Sequence, residues 1–428
     1  MMRRQLPAYS PLDLGSWMRA CLDSLRDPEG ARSDLARLLS QRYPCEKVVL
    51  TGSGTQALEL SIRLALRARP PKTPVALPAF SCFDVLTAAV GAGAPILFYD
   101  VDPETLAPDM ESLRSTLAKG AGALVVSSLY GFPVDWDAAR ECCAEVGTVL
   151  IEDAAQGLGS TWKGREGGTF GDLTVLSFGR GKGWTGGGGG ALLLRKAEHD
   201  VHEVLAAAVR PAPLGGGARA AAAAFAQWGV GRPRLYGLPS ALPGLRLGET
   251  VYRDPTPLQA MSSFSAALVA ATADAAAAEV AVRKRRAAEF GVILGRGVPP
   301  ARARPLRPLG GGTSSYLRFP VVSSGSGHGV LDSPAARSLG IMQSYPRSLP
   351  ELSAARALHK EQVDAFPGAR ELSRSLRTVP THSHLTEGDR MNLLRLIAPG
   401  GISESNMAAV SPCSALVAGD LAPQGGRT

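Results

Sequence analysis

The sequence predicts an α/β fold built on a mainly parallel sheet, and three observations carry that reading. Short apolar runs alternate with segments of helical spacing from Val48 to Leu194. A glycine turn, Gly52-Ser-Gly54, leads from one such run into a helix. A later run, Val149-Leu-Ile151, ends in Glu152-Asp153, which puts a carboxylate at the strand end where open α/β sheets bind ligands.

Residues 1–24 read as an arm and a first helix. Leu35, Leu38 and Leu39 give Ala31 to Tyr43 helical spacing before a turn at Pro44. Val48 to Leu50 reads as a strand and Ala57 to Leu66 as a helix carrying Leu58, Leu60, Ile62 and Leu64. The amino end of that helix follows the glycine turn directly and forms an anion cradle. The stretch Gly52 to Ala57 also fits the dinucleotide pattern Gly-x-Gly-x-x-Gly/Ala. The next strand, Pro74 to Leu77, runs into Pro78-Ala-Phe-Ser81 without the carboxylate that would hold a ribose, so the phosphate belongs to another ligand. Strands at Ile96 to Tyr99 and Ala123 to Leu129 alternate with helices near Met110 to Leu117 and Trp136 to Val146. At Asp153 the plain alternative to a ligand site is a helix N-cap.

From Gly179 to Gly190 eight of twelve residues are glycine, and Lys182 stands among them. Each glycine costs roughly 0.5–1 kcal/mol relative to alanine in ordered structure. A solvated lysine in a linker is the simple alternative. This stretch, however, joins the apolar run Leu173 to Phe178 to Ala191-Leu-Leu-Leu194, so the glycines bridge two core strands where backbone must approach something closely. A phosphate-binding P-loop is excluded at two positions: Leu176 stands where its first glycine belongs and Gly183 where its Ser or Thr belongs.

Beyond Arg195, Leu205 to Ala226 is alanine-rich and Pro233 to Gly248 is proline- and glycine-rich, which reads as a loop region joining two domains. Leu258 to Phe290 reads as one or two helices ending in Arg283-Lys-Arg-Arg286, a solvated charge run. Tyr316 to Val322 reads as a strand, Ser324 to His328 as a loop, Pro334 to Ser338 as a helix, and the tail from Pro412 as disordered.

A chain of 428 residues with 45% apolar content exceeds one ordinary core, so two domains are expected. Its six cysteines show no Cys-x-x-Cys spacing, which argues against a zinc site or a disulfide framework and for a reducing cytoplasm. The net charge of +8 comes without a basic block interleaved with aromatics, so an anionic small molecule is expected rather than nucleic acid. No signal-peptide core and no run near the ~18 apolar residues of a membrane span is present.

Taken together, about residues 10–395 resemble the DegT/DnrJ/StrS family of pyridoxal-phosphate aminotransferases. The carriers are Gly52-Ser-Gly-Thr-Gln-Ala-Leu58, Pro78-Ala-Phe-Ser81, Asp100 to Leu106, Tyr130-Gly131, Glu152-Asp-Ala-Ala-Gln156, Gly164 with Gly168 to Asp172, Ser177-Phe178, Lys182 and Thr378-Val-Pro-Thr-His382. The resemblance implies a fold-type-I transferase: an arm and first helix at 1–24, a large cofactor-binding α/β domain at 25–248, a smaller α+β domain at 249–411 and a tail at 412–428. It implies that Lys182 forms the Schiff base with pyridoxal 5′-phosphate, that Asp153 pairs with the pyridinium nitrogen and that Gln156 lies near the ring hydroxyl. Gly54, Thr55 and Ser177 would hold the phosphate. Where the family carries an aromatic residue against the ring, this chain has Cys82, flanked by Phe80 and Phe83. It also has Ser128 for the usual His, Gly183 for the Asn after the lysine, and Tyr252-Arg-Asp-Pro255 for an Asn-x-Arg-Met run. Arg318 and Arg347 are candidates for an acidic substrate, with an ordinary surface arginine the simpler reading of each.

The implied function is transfer of an amino group from an amino acid donor, glutamate, to a keto acceptor, a nucleotide-linked keto sugar, by a homodimer. The alternatives are a sugar dehydratase or lyase of the same fold and a non-catalytic regulator that binds the cofactor.

Overall fold

A computed structural model describes residues 4–196, 208–237, 250–295, 302–323, 327–356, 358 and 365–401. The alternation read from the sequence resolves into strands β1 (Lys47–Thr51), β2 (Val75–Pro78), β3 (Ile96–Tyr99), β4 (Ala123–Ser127) and β5 (Val149–Asp153). The short strands β6 (Thr161–Trp162) and β7 (Arg165–Glu166) follow, then β8 (Leu173–Ser177) and β9 (Gly190–Leu194). Seven of them form one sheet in the order β1-β9-β8-β5-β4-β2-β3. The pairings β3–β2, β2–β4, β4–β5 and β5–β8 are parallel, and β9 runs antiparallel to both its neighbours.

Side chains alternate along each strand, so adjacent residues of β4 enter different cores. Ala123 and Val125 pack with helices α3 (Gly54–Leu66) and α4 (Phe83–Ala92) on one face. Leu124 and Val126 pack with α5 (Met110–Leu117) and α6 (Trp136–Val146) on the other. Ahead of the sheet lie α1 (Leu14–Arg26) and α2 (Pro28–Arg42), with Leu35 and Leu39 fully buried.

The register assembles the site. Gly190 pairs with both Thr51 and Ser177, so the glycine turn after β1 and the lysine loop after β8 meet at one sheet end. Ser127 lies beside Asp153 across β4–β5. Parallel strands thus deliver Pro78, Ser127, Asp153 and Ser177 to the same edge.

Beyond the sheet, β10 (Ala303–Pro305), β12 (Phe319–Ser323) and β13 (Leu376–Val379) form an antiparallel sheet in the order β10-β12-β13. A third small sheet runs in the order β11 (Gly312–Thr313), β6, β7, with β6 paired to both others. The segment Leu258 to Phe290 forms two helices, Ser263–Ala271 and Ala273–Gly295. The second spans two cores: Ala276 and Val280 pack with Tyr43 and Leu158, and Phe290 and Ile293 pack under the antiparallel sheet. No single helix among the described residues is long and apolar enough to cross a membrane.

Four expectations are corrected. The region read as a loop joining two domains contains helices Gly216–Val230 and Pro233–Tyr236, because alanine's helix propensity outweighs the flanking glycines. Residues 197–207 and 238–249 of it, like the tail from Pro412, lie outside the described residues. The strand placed at Tyr316 to Val322 starts only at Phe319, since Tyr316 takes a positive φ of 47° and Leu317 donates instead to the Tyr130 carbonyl. Of the loop placed at Ser324 to His328, residues 324–326 lie outside the described residues, and the last two open a short helix, Gly327–Leu331. Arg283, read as part of a solvated run, is 1% exposed.

Glu152 and His382 are structural. The fully buried Glu152 carboxylate accepts from the amides of Gly168, Phe170 and Gly171 and from the Thr174 hydroxyl, and so shapes the loop before β8. Glu152→Ala leaves those donors unpaired and is expected to cost about 3 kcal/mol, read from the urea midpoint. His382 ties the arm down through Nε2 and the Leu6 carbonyl at 2.8 Å. Burial pushes the imidazole down to about 4, opposed chiefly by that bond. A folded value below the unfolded one of about 6.5 means the unfolded chain binds the extra proton. Stability from this residue is therefore complete above pH 6.5 and is lost as pH falls toward 4, by roughly 3 kcal/mol at full extent. His382→Gln should flatten that part of a stability–pH curve.

Candidate active site

Two glycine-rich segments form one end of the site. Ser53 caps α3, its hydroxyl accepting from the Gln56 amide, so the Gly54 and Thr55 amides lead the helix. A Cβ at Gly54 would stand 2.5 Å from the Ser177 Cβ, and one at Gly190 would stand 2.5 Å from the Gly54 nitrogen. The helix start, the Ser177 hydroxyl and the β9 start are therefore in contact only because both positions are glycine. Helix amides with a hydroxyl beside them suit a phosphate.

The lysine loop turns back on itself, with the Lys182 amide donating to the Gly179 carbonyl and Gly181 and Gly183 at φ of 76° and 85°. A Cβ at Gly179 would lie 3.7 Å from the Ser177 Oγ and 4.0 Å from the Lys182 Cγ, which sets the lysine stem beside the phosphate cradle. Gly183 is explained by its surroundings: a side chain there would meet the Arg283 guanidinium at 2.6 Å. The arm closes the loop from outside, where Ser10 Oγ accepts from the Gly183 amide at 3.0 Å.

Asp153 stands at the other end. A turn follows β5, not a helix, so the N-cap alternative does not hold. Its Oδ2 accepts from Ser127 Oγ at 3.0 Å and its Oδ1 from the Ala155 amide at 3.1 Å. Burial pushes this carboxyl above its ordinary value, and the Lys182 charge and these two bonds pull it back. Cys82 feels the same charges. Burial and Asp84 hold its thiol up at about 12 against the pull of Lys182, so it is neutral at physiological pH.

Gln156 is engaged within the protein. Its Oε1 accepts from the Tyr130 amide at 3.2 Å and its Nε2 donates to the Tyr345 hydroxyl at 3.0 Å. Arg318 is half-buried and donates to Ser344 Oγ at 2.9 Å, whereas Arg347 is exposed. Arg253 points its side chain to solvent, and its carbonyl accepts from Thr87.

The structure thus brings Gly54, Thr55, Ser177, Lys182, Asp153 and Cys82 to one sheet edge. These residues fit pyridoxal phosphate: an anion cradle, a lysine, and a carboxylate held at the far end by two donors. Sequence reasoning missed Ser127 and Tyr345, and it named Tyr130 as part of a motif without giving it a role in the site. Ser127 fell inside the strand read at Ala123 to Leu129, which the structure ends at Ser127 because Leu129–Gly131 turns as a 3-10 helix, and only that shorter end sets Ser127 beside Asp153; Tyr345 lies far along the chain and carries no local signal.

Residues 32–207 match the profile of the DegT/DnrJ/EryC1/StrS aminotransferase family. The dTDP-4-dehydro-2,3,6-trideoxy-D-glucose 4-aminotransferase of Saccharopolyspora spinosa is 35% identical over 133 residues, which are 31% of this chain and 34% of that protein. The L-glutamine:2-deoxy-scyllo-inosose aminotransferase of Streptomyces kanamyceticus is 31% identical over 191 residues, 43% of this chain and 44% of that one. The chain therefore matches between about a third and a half of the length of these curated relatives. Across most of its length it shares a fold with the sugar aminotransferase CalS13 of Micromonospora echinospora, with a TM-score of 0.69 and 18% identity over 94% of this chain and 100% of that one. Residues 32–207, which hold the glycine turn, Asp153 and Lys182, thus match a family whose members depend on pyridoxal phosphate.

Proposed function

We propose that this protein is a pyridoxal-phosphate aminotransferase acting on keto sugars. The observation that carries the reading is the meeting of Lys182, Asp153 and the Gly54–Ser177 cradle at one sheet edge. The matched relatives, aminotransferases of a dehydro sugar and an inosose, support the acceptor class.

Bound pyridoxal phosphate supplies the electron sink that lets a substrate Cα–H bond break. The chain's own residues do the rest. Gly54, Thr55 and Ser177 bind the phosphate, and Asp153, fixed by Ser127 and the Ala155 amide, holds a proton on the ring nitrogen. Lys182 Nζ would take up and return the donor's Cα proton, and the glycines on either side would let its backbone adjust. We read glutamate as the donor, a nucleotide-linked keto sugar as the acceptor, a homodimer as the working form, and residues 25–248 and 249–411 as the large and small domains.

Protein loaded with pyridoxal phosphate and mixed with glutamate alone should release one equivalent of 2-oxoglutarate. Release of ammonia would favour a lyase. Bound cofactor with no keto acid from glutamate, glutamine or aspartate would replace the transaminase with a cofactor-binding regulator.

A further inference from the structure

Helix α1 buries only the edge of its apolar face. At about 100° per residue, Leu14, Trp17, Met18, Cys21, Leu22 and Leu25 share one side, the stripe that an amphipathic helix turns toward a core. The residues α1 buries are instead Ala20 and Ser24, and Ala20 joins Phe264, Ala267 and Leu268 of helix Ser263–Ala271. Trp17 and Cys21 pack against the same cluster and are half-buried. The rest of the stripe faces outward: Leu14 is 38% exposed, Met18 50%, Leu22 54% and Leu25 81%. Phe225, also exposed, sets its ring 5.4 Å from Trp17 and widens the patch. Large apolar side chains gathered along one helix face mark a surface that meets another protein.

The order of residues along α1 selects the partner. Reversing the helix end for end maps the stripe onto itself: Leu14 exchanges with Leu25, Trp17 with Leu22 and Met18 with Cys21. The same reversal exchanges the N-cap Asp13 with the last helical residue, Arg26. Both are exposed, and Arg26 makes no ion pair among the described residues. A second α1 laid antiparallel across a two-fold axis therefore meets leucine with leucine at both ends and sets each Asp13 beside the partner's Arg26. A parallel pair would set Asp13 on Asp13 and Arg26 on Arg26, which like-charge repulsion disfavours. A face complementary to its own reverse fits an isologous contact with a copy of itself.

We propose that α1 pairs antiparallel with α1 of a second copy of this chain, through Leu14, Met18, Leu22 and Leu25. The inference rests on the homodimer of the functional reading for its stoichiometry and adds the surface that forms it. It sets the contact at the foot of the arm whose Ser10 holds the Gly183 amide, one residue from Lys182.

The test is the mass of the full chain in solution, read by sedimentation velocity on two variants, Leu14→Lys and Leu25→Glu. Each variant buries an unpaired charge at both ends of the contact and should raise the dissociation constant of the assembly roughly a hundredfold. At a concentration where wild type is assembled, each should therefore show half the wild-type mass. Both side chains are exposed within one copy, so the far-ultraviolet circular dichroism should keep its helical signal. An equal mixture of the two variants should restore the wild-type mass, because lysine then faces glutamate at one end and leucine faces leucine at the other. Unchanged mass in both variants would overturn the proposal. Variants that stay dissociated when mixed would overturn it too, since a parallel pair or a contact elsewhere gives that result. A monomeric wild type would overturn the homodimer reading along with it, whereas an assembled wild type insensitive to both substitutions would overturn the α1 contact alone.

Discussion

Lys182→Ala is expected to lower turnover by roughly 10^4-fold or more, because on the proposed function it removes the covalent anchor and the group that carries the substrate proton together. The loss should be one of chemistry and not of fold. Lys182 is half-buried in a loop whose conformation is set by its glycines and by the Ser10 contact to Gly183, none of which the substitution touches. The apo-protein's melting temperature should therefore stay near that of wild type. A variant that retains a tenth of wild-type turnover would mean that Lys182 is a surface lysine after all.

Asp153→Asn should lower turnover on the order of 10^3-fold while the phosphate cradle still retains the cofactor. The two donors that hold Asp153, Ser127 Oγ and the Ala155 amide, still find an acceptor in the Asn carbonyl oxygen, but the charge is gone. An amide cannot keep the ring nitrogen protonated, so the electron sink is lost. The same substitution removes the counter-charge beside Lys182. Measured kcat with saturating cofactor, alongside the cofactor dissociation constant, separates the two effects. Near-wild-type kcat would leave Asp153 as a turn-capping residue only.

The large sheet was legible in the sequence because its strands are continuous apolar runs and its helices are strongly periodic. Ile96–Tyr99 and Met110–Leu117 coincide with their predicted bounds. Asp153 was placed by the same logic, since parallel strands put their carboxyl ends on one edge; Lys182 was marked by its glycine setting, and Gly54 and Ser177 were placed at the phosphate by the family resemblance. Arg283 was not legible. Helix Ala273–Gly295 carries alanines on several faces, so its periodicity names no single buried side, and an arginine beside a glycine could turn inward. Burial without a partner at Nε pushes that guanidinium down to about 10. Helix Gly216–Val230 was masked by Gly215, Gly216 and Gly217 at its start, which read as a linker although the alanines behind them decide the structure. Tyr345 illustrates the remaining limit: 189 residues separate it from Gln156, and no local pattern announces a contact of that range.

Borohydride reduction of protein loaded with pyridoxal phosphate, followed by peptide mass mapping, examines the assignment of Lys182 without any knowledge of the substrate. The reduced pyridoxyl group should be found on the peptide containing Lys182 and on no other, and Lys182→Ala should carry none. Fixation on a different lysine, or cofactor uptake with nothing fixed at all, would contradict the site described here.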